Sequence, residues 1–343
     1  MTKVGLAALL ATAAAVAGPA GAQPQDYKRC DGVGCASAEM RAERGNAEDK
    51  AGRKYYLDEP RDYRPGQKVI FVLNLHGAGS YGTWQRHYFP AVDFKDKYHL
   101  VIATPTAATE TPMVPGQPGV RRWVAEADDA HLQNIVDAAI QKYGARNIKS
   151  FWLAGHSQGG MTSHRLVCTP YYASKVDGFL SLSGGRVGAA PFVARFGPPK
   201  PDGSPPDPRP AAAGLSRTSA LPTDTCQFSA VFEVGQYEIE SLPDMSPAAT
   251  TYGCGARVKK ADIVDSKPGH VWDFARAGYN VWGRQARPGT AQEWVYPKCR
   301  GGRVVADVVR QDKGHTEGLE PKVTEELVKL IAAEPGGKIA RGG

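Results

Sequence analysis

Apolar runs and amphipathic stretches alternate along the middle of the chain. Residues 68–75 are almost continuously apolar and end in a glycine-rich segment, as expected of a buried strand that opens into a loop. Residues 99–103 form a second run of this kind. The same pattern predicts further strands at 53–57, 151–154, 178–182, 230–234 and 304–309, and it leaves 259–264 as a possible strand.

Helical periodicity separates these strands. Apolar residues recur at helical spacing from Leu132 to Tyr143, and Gly144 follows, which predicts an amphipathic helix. Shorter helices are predicted at 161–167 and 321–332. Because strands alternate with helices, the pattern favours an α/β fold with a mostly parallel central sheet and helices on both faces.

One segment interrupts the alternation. Residues 197–210 are too rich in proline for a helix or a central strand, so they predict an extended or disordered excursion within an insertion at 187–225. A lid over a binding site is the alternative interpretation of this long loop. The rest of the chain is expected to form one domain at 53–335, with an N-terminal extension at 23–52 and a tail at 336–343.

The N-terminus has the composition of a secretory signal peptide. Lys3 is followed by an apolar run and then by Ala20, Gly21 and Ala22, an A-x-A pattern that predicts a signal peptide at 1–22. No other uncharged apolar run approaches the roughly 20 residues that a membrane span requires. The mature chain is therefore expected to be secreted or periplasmic, without membrane insertion.

Charge and cysteine content narrow the functional classes. The formal net charge is +7 among 343 residues, without a run of Lys or Arg long enough for a nucleic-acid site. All six cysteines lie beyond the expected cleavage site, and an even number in an exported chain favours disulfides, including a local bridge between Cys30 and Cys35. Because no Cys/His cluster has zinc spacing, neither a metal nor a cofactor is expected.

Residues 155–159, Gly-His-Ser-Gln-Gly, form the most informative motif. They stand between a predicted strand and a predicted helix, which is the setting of a nucleophile elbow. Glycines two residues before and after the serine allow the strand and the helix to approach each other. Ser157 is therefore the candidate nucleophile, and an ordinary turn of glycine and serine is the alternative.

A serine hydroxyl is a weak nucleophile, so it needs a base and a carboxylate that orients the base. On folds with a nucleophile elbow, the acid and then the histidine follow the serine along the chain. His315, directly after the last predicted strand, is the favoured base, and His270 is its rival. His164 belongs to the elbow helix and is interpreted as a surface or packing residue.

The remaining parts of such a site are the acid and two oxyanion donors. Glu238 is the first carboxylate beyond the strand predicted before it and is the favoured acid, while Glu240 and Asp244 stay open. The oxyanion of acyl transfer requires two backbone N–H groups. These are expected from Gln158, directly after the nucleophile, and from Ala78 in the first glycine loop.

The order of these motifs carries more information than any one of them. The relevant residues are Leu75-His76-Gly77-Ala78-Gly79, Trp123, Asp128-Asp129, residues 155–161, residues 181–185 and Gly314-His315-Thr316. Over 53–331, outside the proline-rich insertion, the chain resembles the secreted polyhydroxybutyrate-depolymerase-like and feruloyl-esterase-like α/β-hydrolases. The resemblance implies an α/β-hydrolase fold and a serine esterase that cleaves small or polymeric carboxylic esters, of feruloyl or polyhydroxyalkanoate type, through an acyl-enzyme.

The same resemblance has implications for the acid and for the disulfides. The family's usual acid is an aspartate three residues after a glycine, and Glu238 holds that place here with one additional methylene. The cysteine positions imply two bridges, Cys168 with Cys226 and Cys254 with Cys299.

Two other functions share the fold. A serine peptidase would have every motif named above, and a non-catalytic secreted binding protein would keep the fold without the catalytic relay. The motifs do not specify the acyl group. Aromatic side chains that offer a surface for a feruloyl ring or a polyester are Trp84, Trp123, Trp272, Tyr279 and Trp282.

Overall fold

The computed structural model describes residues 45–112, 119–188, 221–238, 242, 244–273 and 282–342. The expected signal peptide, the expected Cys30–Cys35 bridge and the proline-rich residues 197–210 lie outside this part of the chain. So do Glu240 and Tyr279.

A large sheet forms the centre of the described structure. Its strand order is β1-β2-β4-β3-β7-β8-β9-β13-β12-β10, with β11 also paired to β12, and β5 and β6 form a separate hairpin. The strands are β1 Ala47–Glu48, β2 Lys54–Asp58, β3 Val69–Leu75, β4 Leu100–Pro105, β5 Thr109–Pro112, β6 Gly119–Arg122, β7 Ile148–His156, β8 Gly178–Leu182, β9 Ser229–Gly235, β10 Val258–Lys259, β11 Ile263–Val264, β12 Thr290–Val295 and β13 Val305–Arg310.

The six middle strands run parallel, and the strands at both edges are antiparallel to their neighbours. Every residue of β3, β8, β9 and β13 is buried, which explains why these segments read as apolar runs rather than as alternating patterns. Their carboxyl ends meet at one edge of the sheet, where parallel sheets place their binding sites.

Helices cover both faces of the sheet. On one face Leu132 and Val136 pack with Phe71 and Leu153, and on the other Leu327 packs with the far side of the same strands. The helices are α1 Gly82–Tyr88, α2 Lys95–Tyr98, α3 Ala125–Tyr143, α4 Gln158–Leu166, α5 Pro170–Ala173, α6 Pro247–Thr251, α7 Pro321–Ala333 and α8 Lys338–Gly342. The α/β fold expected from the sequence, with a mostly parallel central sheet and helices on both faces, is confirmed.

Several elements differ from their predicted bounds. Helix α4 begins at Gln158 instead of 161, because Gly159 and Gly160 in its first turn have no apolar side chain to show helical periodicity. The possible strand at 259–264 is two separate two-residue strands, β10 and β11, each paired to β12. Strand β1 lies within the predicted N-terminal extension, and α8 within the predicted tail.

Two disulfides join segments that lie outside the named strands. Cys168, after α4, is bonded to Cys226 with Cα atoms 5.5 Å apart, and Cys254 is bonded to Cys299 with Cα atoms 4.0 Å apart. Both pairings implied by the family resemblance are confirmed. Across the described ranges, no helix combines the length and the apolar character that crossing a membrane demands.

Candidate active site

Ser157 lies in a sharp turn between β7 and α4. Its backbone has φ 51° and ψ −118°, a left-handed conformation that is uncommon for a residue with a side chain. The turn is held because the Ser157 amide donates to the Leu182 carbonyl at 2.9 Å and the Met161 amide donates to the Ser157 carbonyl at 3.0 Å. The strand, turn and helix thus present the half-buried hydroxyl at the carboxyl edge of the sheet.

Close backbone packing explains the glycines of this turn. A Cβ on Gly155 would lie 2.4 Å from the carbonyl carbon of Gly159, and one on Gly159 would lie 2.3 Å from the Leu75 carbonyl oxygen. A Cβ on Gly160 would lie 2.8 Å from the α-carbon of Gly184. Helix α4 therefore approaches β3, β7 and the turn after β8 more closely than any side chain permits.

The structure brings Ser157, His315 and Glu238 together. His315 Nε2 is 2.8 Å from Ser157 Oγ, and His315 Nδ1 is 2.5 Å from Glu238 Oε2. His315 lies on the loop after β13, and Glu238 ends a 3₁₀ turn directly after β9. Both side chains are almost fully buried, so the hydrogen bonds that join Ser157, His315 and Glu238 are shielded from water. These three residues form the candidate relay.

The second oxygen of the Glu238 carboxylate has its own donors. Oε1 accepts from Ser183 Oγ at 2.8 Å and from the Gly235 amide at 2.9 Å. Ser183 follows β8 and belongs to the Ser-Gly-Gly turn at 183–185. The sequence contains this turn, yet only the fold shows which carboxylate it meets.

The glycine loop after β3 faces the start of α4. The Gly79 amide donates to Arg121 and the Ser80 amide donates to Gly77, whereas within the described residues the Ala78 amide has no acceptor. Gln158 is the first residue of α4, so its amide has no acceptor within the helix. Both N–H groups named from the sequence are therefore available to a bound group.

Trp123 ties the glycine loop to the elbow. Its indole Nε1 donates to the His76 carbonyl at 2.8 Å. The Gln158 side chain bonds the Trp123 backbone twice: Oε1 accepts from the amide at 3.1 Å and Nε2 donates to the carbonyl at 3.3 Å. One tryptophan thus fixes the two segments that carry the candidate oxyanion donors.

His76 braces the same loop as a neutral ring. Its Nε2 accepts from the Ala107 amide at 3.0 Å, so the proton is on Nδ1, which donates to the Gly77 carbonyl at 2.7 Å. Complete burial lowers the pKa of His76 to about 4. The imidazole therefore keeps this pair of hydrogen bonds across the neutral pH range.

His156 holds the backbone of the candidate base. Its Nε2 donates to the His315 carbonyl at 2.8 Å, and its ring lies tilted against that of Tyr88 with centroids 4.0 Å apart. Burial, followed by the neighbouring His315, lowers the pKa of His156 well below its usual value, so the ring is neutral. The histidine of the elbow motif thus has a structural contact that its position in the sequence does not reveal.

Buried charged side chains underlie the loop that carries the base. Arg310 Nε donates to Glu320 Oε2 at 3.1 Å, and its Nη1 donates to the Glu317 carbonyl at 2.7 Å. Lys313 Nζ lies 2.7 Å from Glu320 Oε1 and 3.4 Å from Glu317 Oε2. Glu233 Oε1 lies 3.5 Å from Arg310 Nη1, and burial raises the pKa of Glu233 to about 8. These groups hold both ends of the loop.

The rival residues lie elsewhere in the described structure. His270 Nε2 is 3.9 Å from Asp93 Oδ2, and the exposed Asp244 pairs with Arg257 at 3.1 Å. Neither of these rivals meets the nucleophile, whose Oγ bonds the other histidine. His164 is buried against Phe179 with ring centroids 4.8 Å apart, in accordance with its interpretation as a packing residue.

Aromatic rings surround the candidate relay. Trp282 meets His315 edge-on with centroids 5.4 Å apart, and Trp84 lies 5.6 Å from the His156 ring. Both indoles are partly exposed, whereas Trp123 is buried and serves the loop contacts described above. No group of three or more metal-binding side chains occurs among the residues that the structure describes.

Comparisons with known proteins show weak likenesses. No protein-family model and no curated protein matches the chain. Among solved structures, an acetyl xylan esterase from Aspergillus awamori aligns with 82% of this chain and 94% of its own, at 12% identity and a TM-score of 0.40. The Staphylococcus aureus fluorophosphonate-binding serine hydrolase FphF aligns with 54% of this chain and 74% of its own, at 15% identity and a TM-score of 0.36.

A soluble variant of monoglyceride lipase from Saccharomyces cerevisiae also aligns, at 20% identity and a TM-score of 0.28. That match covers 37% of this chain and 39% of the lipase, so the chain spans well under half of the lipase's length. Likenesses of this strength do not assign a family or an activity.

Proposed function

We propose that this chain is a secreted serine esterase that hydrolyses carboxylic esters through an acyl-enzyme intermediate. One observation carries the proposal: a continuous line of hydrogen bonds runs from Ser157 Oγ through the His315 ring to the Glu238 carboxylate. This is the arrangement of nucleophile, base and orienting acid that acyl transfer requires. The strained backbone of Ser157 at the end of β7 supports the same role.

Acylation begins at the serine. His315 Nε2 takes the hydroxyl proton as Ser157 Oγ attacks the ester carbonyl carbon, and the carbonyl π-electrons move onto oxygen. Glu238 keeps the other ring proton on Nδ1 and stabilises the imidazolium that forms. When the tetrahedral intermediate collapses, His315 gives the proton to the departing alkoxide, which leaves as an alcohol.

Deacylation reverses these roles with water. His315 removes a proton from a water molecule, the hydroxide attacks the acyl carbon, and collapse returns the proton to Ser157 Oγ and releases the carboxylic acid. In both steps the Gln158 and Ala78 amides donate to the negative oxygen. Loss of one such donor typically lowers kcat by about 100- to 1,000-fold.

The proposed substrates are esters of feruloyl or polyhydroxyalkanoate type. The family resemblance supports this class, and the partly exposed rings of Trp84 and Trp282 beside the relay provide aromatic surface for an acyl or alcohol group. Export is supported by the N-terminal pattern of residues 1–22 and by the two disulfides.

A fluorophosphonate probe and the variant Ser157→Ala test the proposal. We expect the wild-type protein to be labelled stoichiometrically at Ser157, and the folded variant to be unlabelled and to lose at least about 10⁴-fold in ester turnover. Hydrolysis of feruloyl, short-chain acyl and hydroxyalkanoate esters, with matched amides, then defines the substrate. A folded wild-type protein that is neither labelled nor active is a binding protein, and faster cleavage of amides than of esters identifies a peptidase.

A further inference from the structure

Ser183 contacts the carboxylate of the relay from the side opposite the base. We propose that Ser183 is a positioning residue that holds Glu238 in the orientation in which Glu238 bonds His315. Ser183 Oγ donates to Glu238 Oε1 at 2.8 Å, while Oε2 bonds His315 Nδ1. The inference rests on the proposed function, because the hydroxyl acts through the carboxylate and does not touch the nucleophile.

A glutamate needs such a contact more than an aspartate does. The additional methylene adds one rotatable bond, and the terminal torsion of a glutamate is broad and poorly defined by itself. Two donors from different segments, Ser183 Oγ and the Gly235 amide, meet Oε1. This pair of bonds fixes the plane of the carboxylate and leaves Oε2 for the histidine.

Ser183 is itself held rigidly. Its amide donates to the Glu233 carbonyl at 2.7 Å, its side chain is buried, and its backbone has φ 52°. A left-handed conformation at a residue with a side chain is retained where the surrounding contacts require it, commonly at functional sites. The backbone therefore aims this hydroxyl at Glu238.

Tyr88 holds the backbone of the base beside this carboxylate. Its hydroxyl donates to the His315 carbonyl at 3.3 Å. Burial raises the pKa of Tyr88 well above its ordinary value, so the phenol keeps the proton that it donates. A carboxylate accepts only, so Ser183 donates its proton to Glu238.

Steady-state kinetics with 4-nitrophenyl butyrate tests the inference. Ser183→Ala keeps the left-handed strain and Ser183→Gly relieves it, yet both remove the hydroxyl. We expect each variant to lower kcat by about 10- to 100-fold, the loss typical of a hydrogen bond to a charged group, with KM changed less than about twofold. Ser229→Ala is the control: it removes a buried hydroxyl that donates to the Glu334 carboxylate at the end of β9 opposite Gly235, and it leaves kcat within about twofold.

A double-mutant cycle with Glu238→Ala separates positioning from a structural effect. If Ser183 acts through the carboxylate, Ser183→Ala lowers kcat by less than about twofold once Glu238 is absent. An equal fold-loss in both backgrounds, or wild-type kcat in both Ser183 variants, would overturn the positioning role while leaving the esterase proposal intact. A wild-type protein without turnover and without fluorophosphonate labelling would overturn both.

Discussion

Substitution of Glu233 tests the electrostatics beneath the candidate relay while Ser157, His315 and Glu238 stay unchanged. Its side chain is fully buried on β9, and burial raises its pKa from 4.5 to about 8. The folded protein therefore binds this proton more tightly than the unfolded chain does. The stability gained from that proton is complete below pH 4.5 and is lost as the pH rises toward 8.

Glu233→Gln removes the titration and keeps the size and polarity of the protonated side chain. Each unit of pKa difference corresponds to about 1.4 kcal/mol, so at pH 7 the wild-type protein has lost about 3 kcal/mol relative to its stability at low pH. The variant does not have this loss. Its stability relative to wild type is expected to rise by about 2 to 3 kcal/mol between pH 5 and pH 7 and to level off above pH 8.

Equilibrium urea unfolding, followed by tryptophan fluorescence from pH 5 to pH 9 with the disulfides intact, measures this difference. Groups that titrate in both proteins cancel, and Arg310 keeps its bonds to Glu320 and to the Glu317 carbonyl in the variant. Glu126→Gln, which removes an exposed carboxyl, is the matched control. A stability difference between variant and wild type that does not change with pH would show that Glu233 is already ionised in the folded protein and would refute the reasoning.

Two further changes test packing and covalent links. Gly159→Ala places a Cβ 2.3 Å from the Leu75 carbonyl oxygen, so we expect a loss of soluble protein or a lower Tm. The control, Gly342→Ala, places a Cβ with nothing within 4 Å and is expected to keep the wild-type Tm. Equal Tm values for the two variants would contradict the close approach of α4 to β3. Replacing either cysteine pair by alanine removes a cross-link that spans 58 or 45 residues, which is expected to cost about 4 kcal/mol of unfolding free energy in urea titrations. A loss below about 1 kcal/mol would show that chain entropy is not the main contribution of that bridge.

The local sequence pattern was sufficient to predict the elements that are buried on both faces. The middle strands form continuous apolar runs, and the elbow couples a strand, a glycine pair and a helix within a few residues, so both were visible in the chain. Strand β12 was missed because its burial alternates between buried and intermediate and it contains Gln292 and Glu293. The start of α4 was missed because close contact between backbones, rather than an apolar face, defines it.

Contacts between distant segments were beyond the reach of the pattern. His315 and Glu238 could be named because chain order on such folds restricts the candidates, but their meeting depends on the pairing of β9 with β13. Ser183 bonds Glu238 across 55 positions of sequence, and Tyr88 bonds the His315 carbonyl across 227. Such contacts follow from the order of the strands in the sheet, and no local sequence pattern predicts them.

The protonated state of Glu233 also bears on the relay itself. Burial, and after it the neighbouring Glu238, raise the pKa of Glu233, and Arg310 is shared between Glu233 and Glu320. A proton on Glu233 removes a negative charge from beneath the site, and Glu238 is the carboxylate that bonds His315. In the proposed mechanism, the imidazolium formed during acylation is then stabilised by a single, directed carboxylate that Ser183 and the Gly235 amide hold in place. Glu233 lowers the stability of the fold at neutral pH, but its proton leaves Glu238 as the one oriented carboxylate beside His315, which is what the proposed mechanism requires.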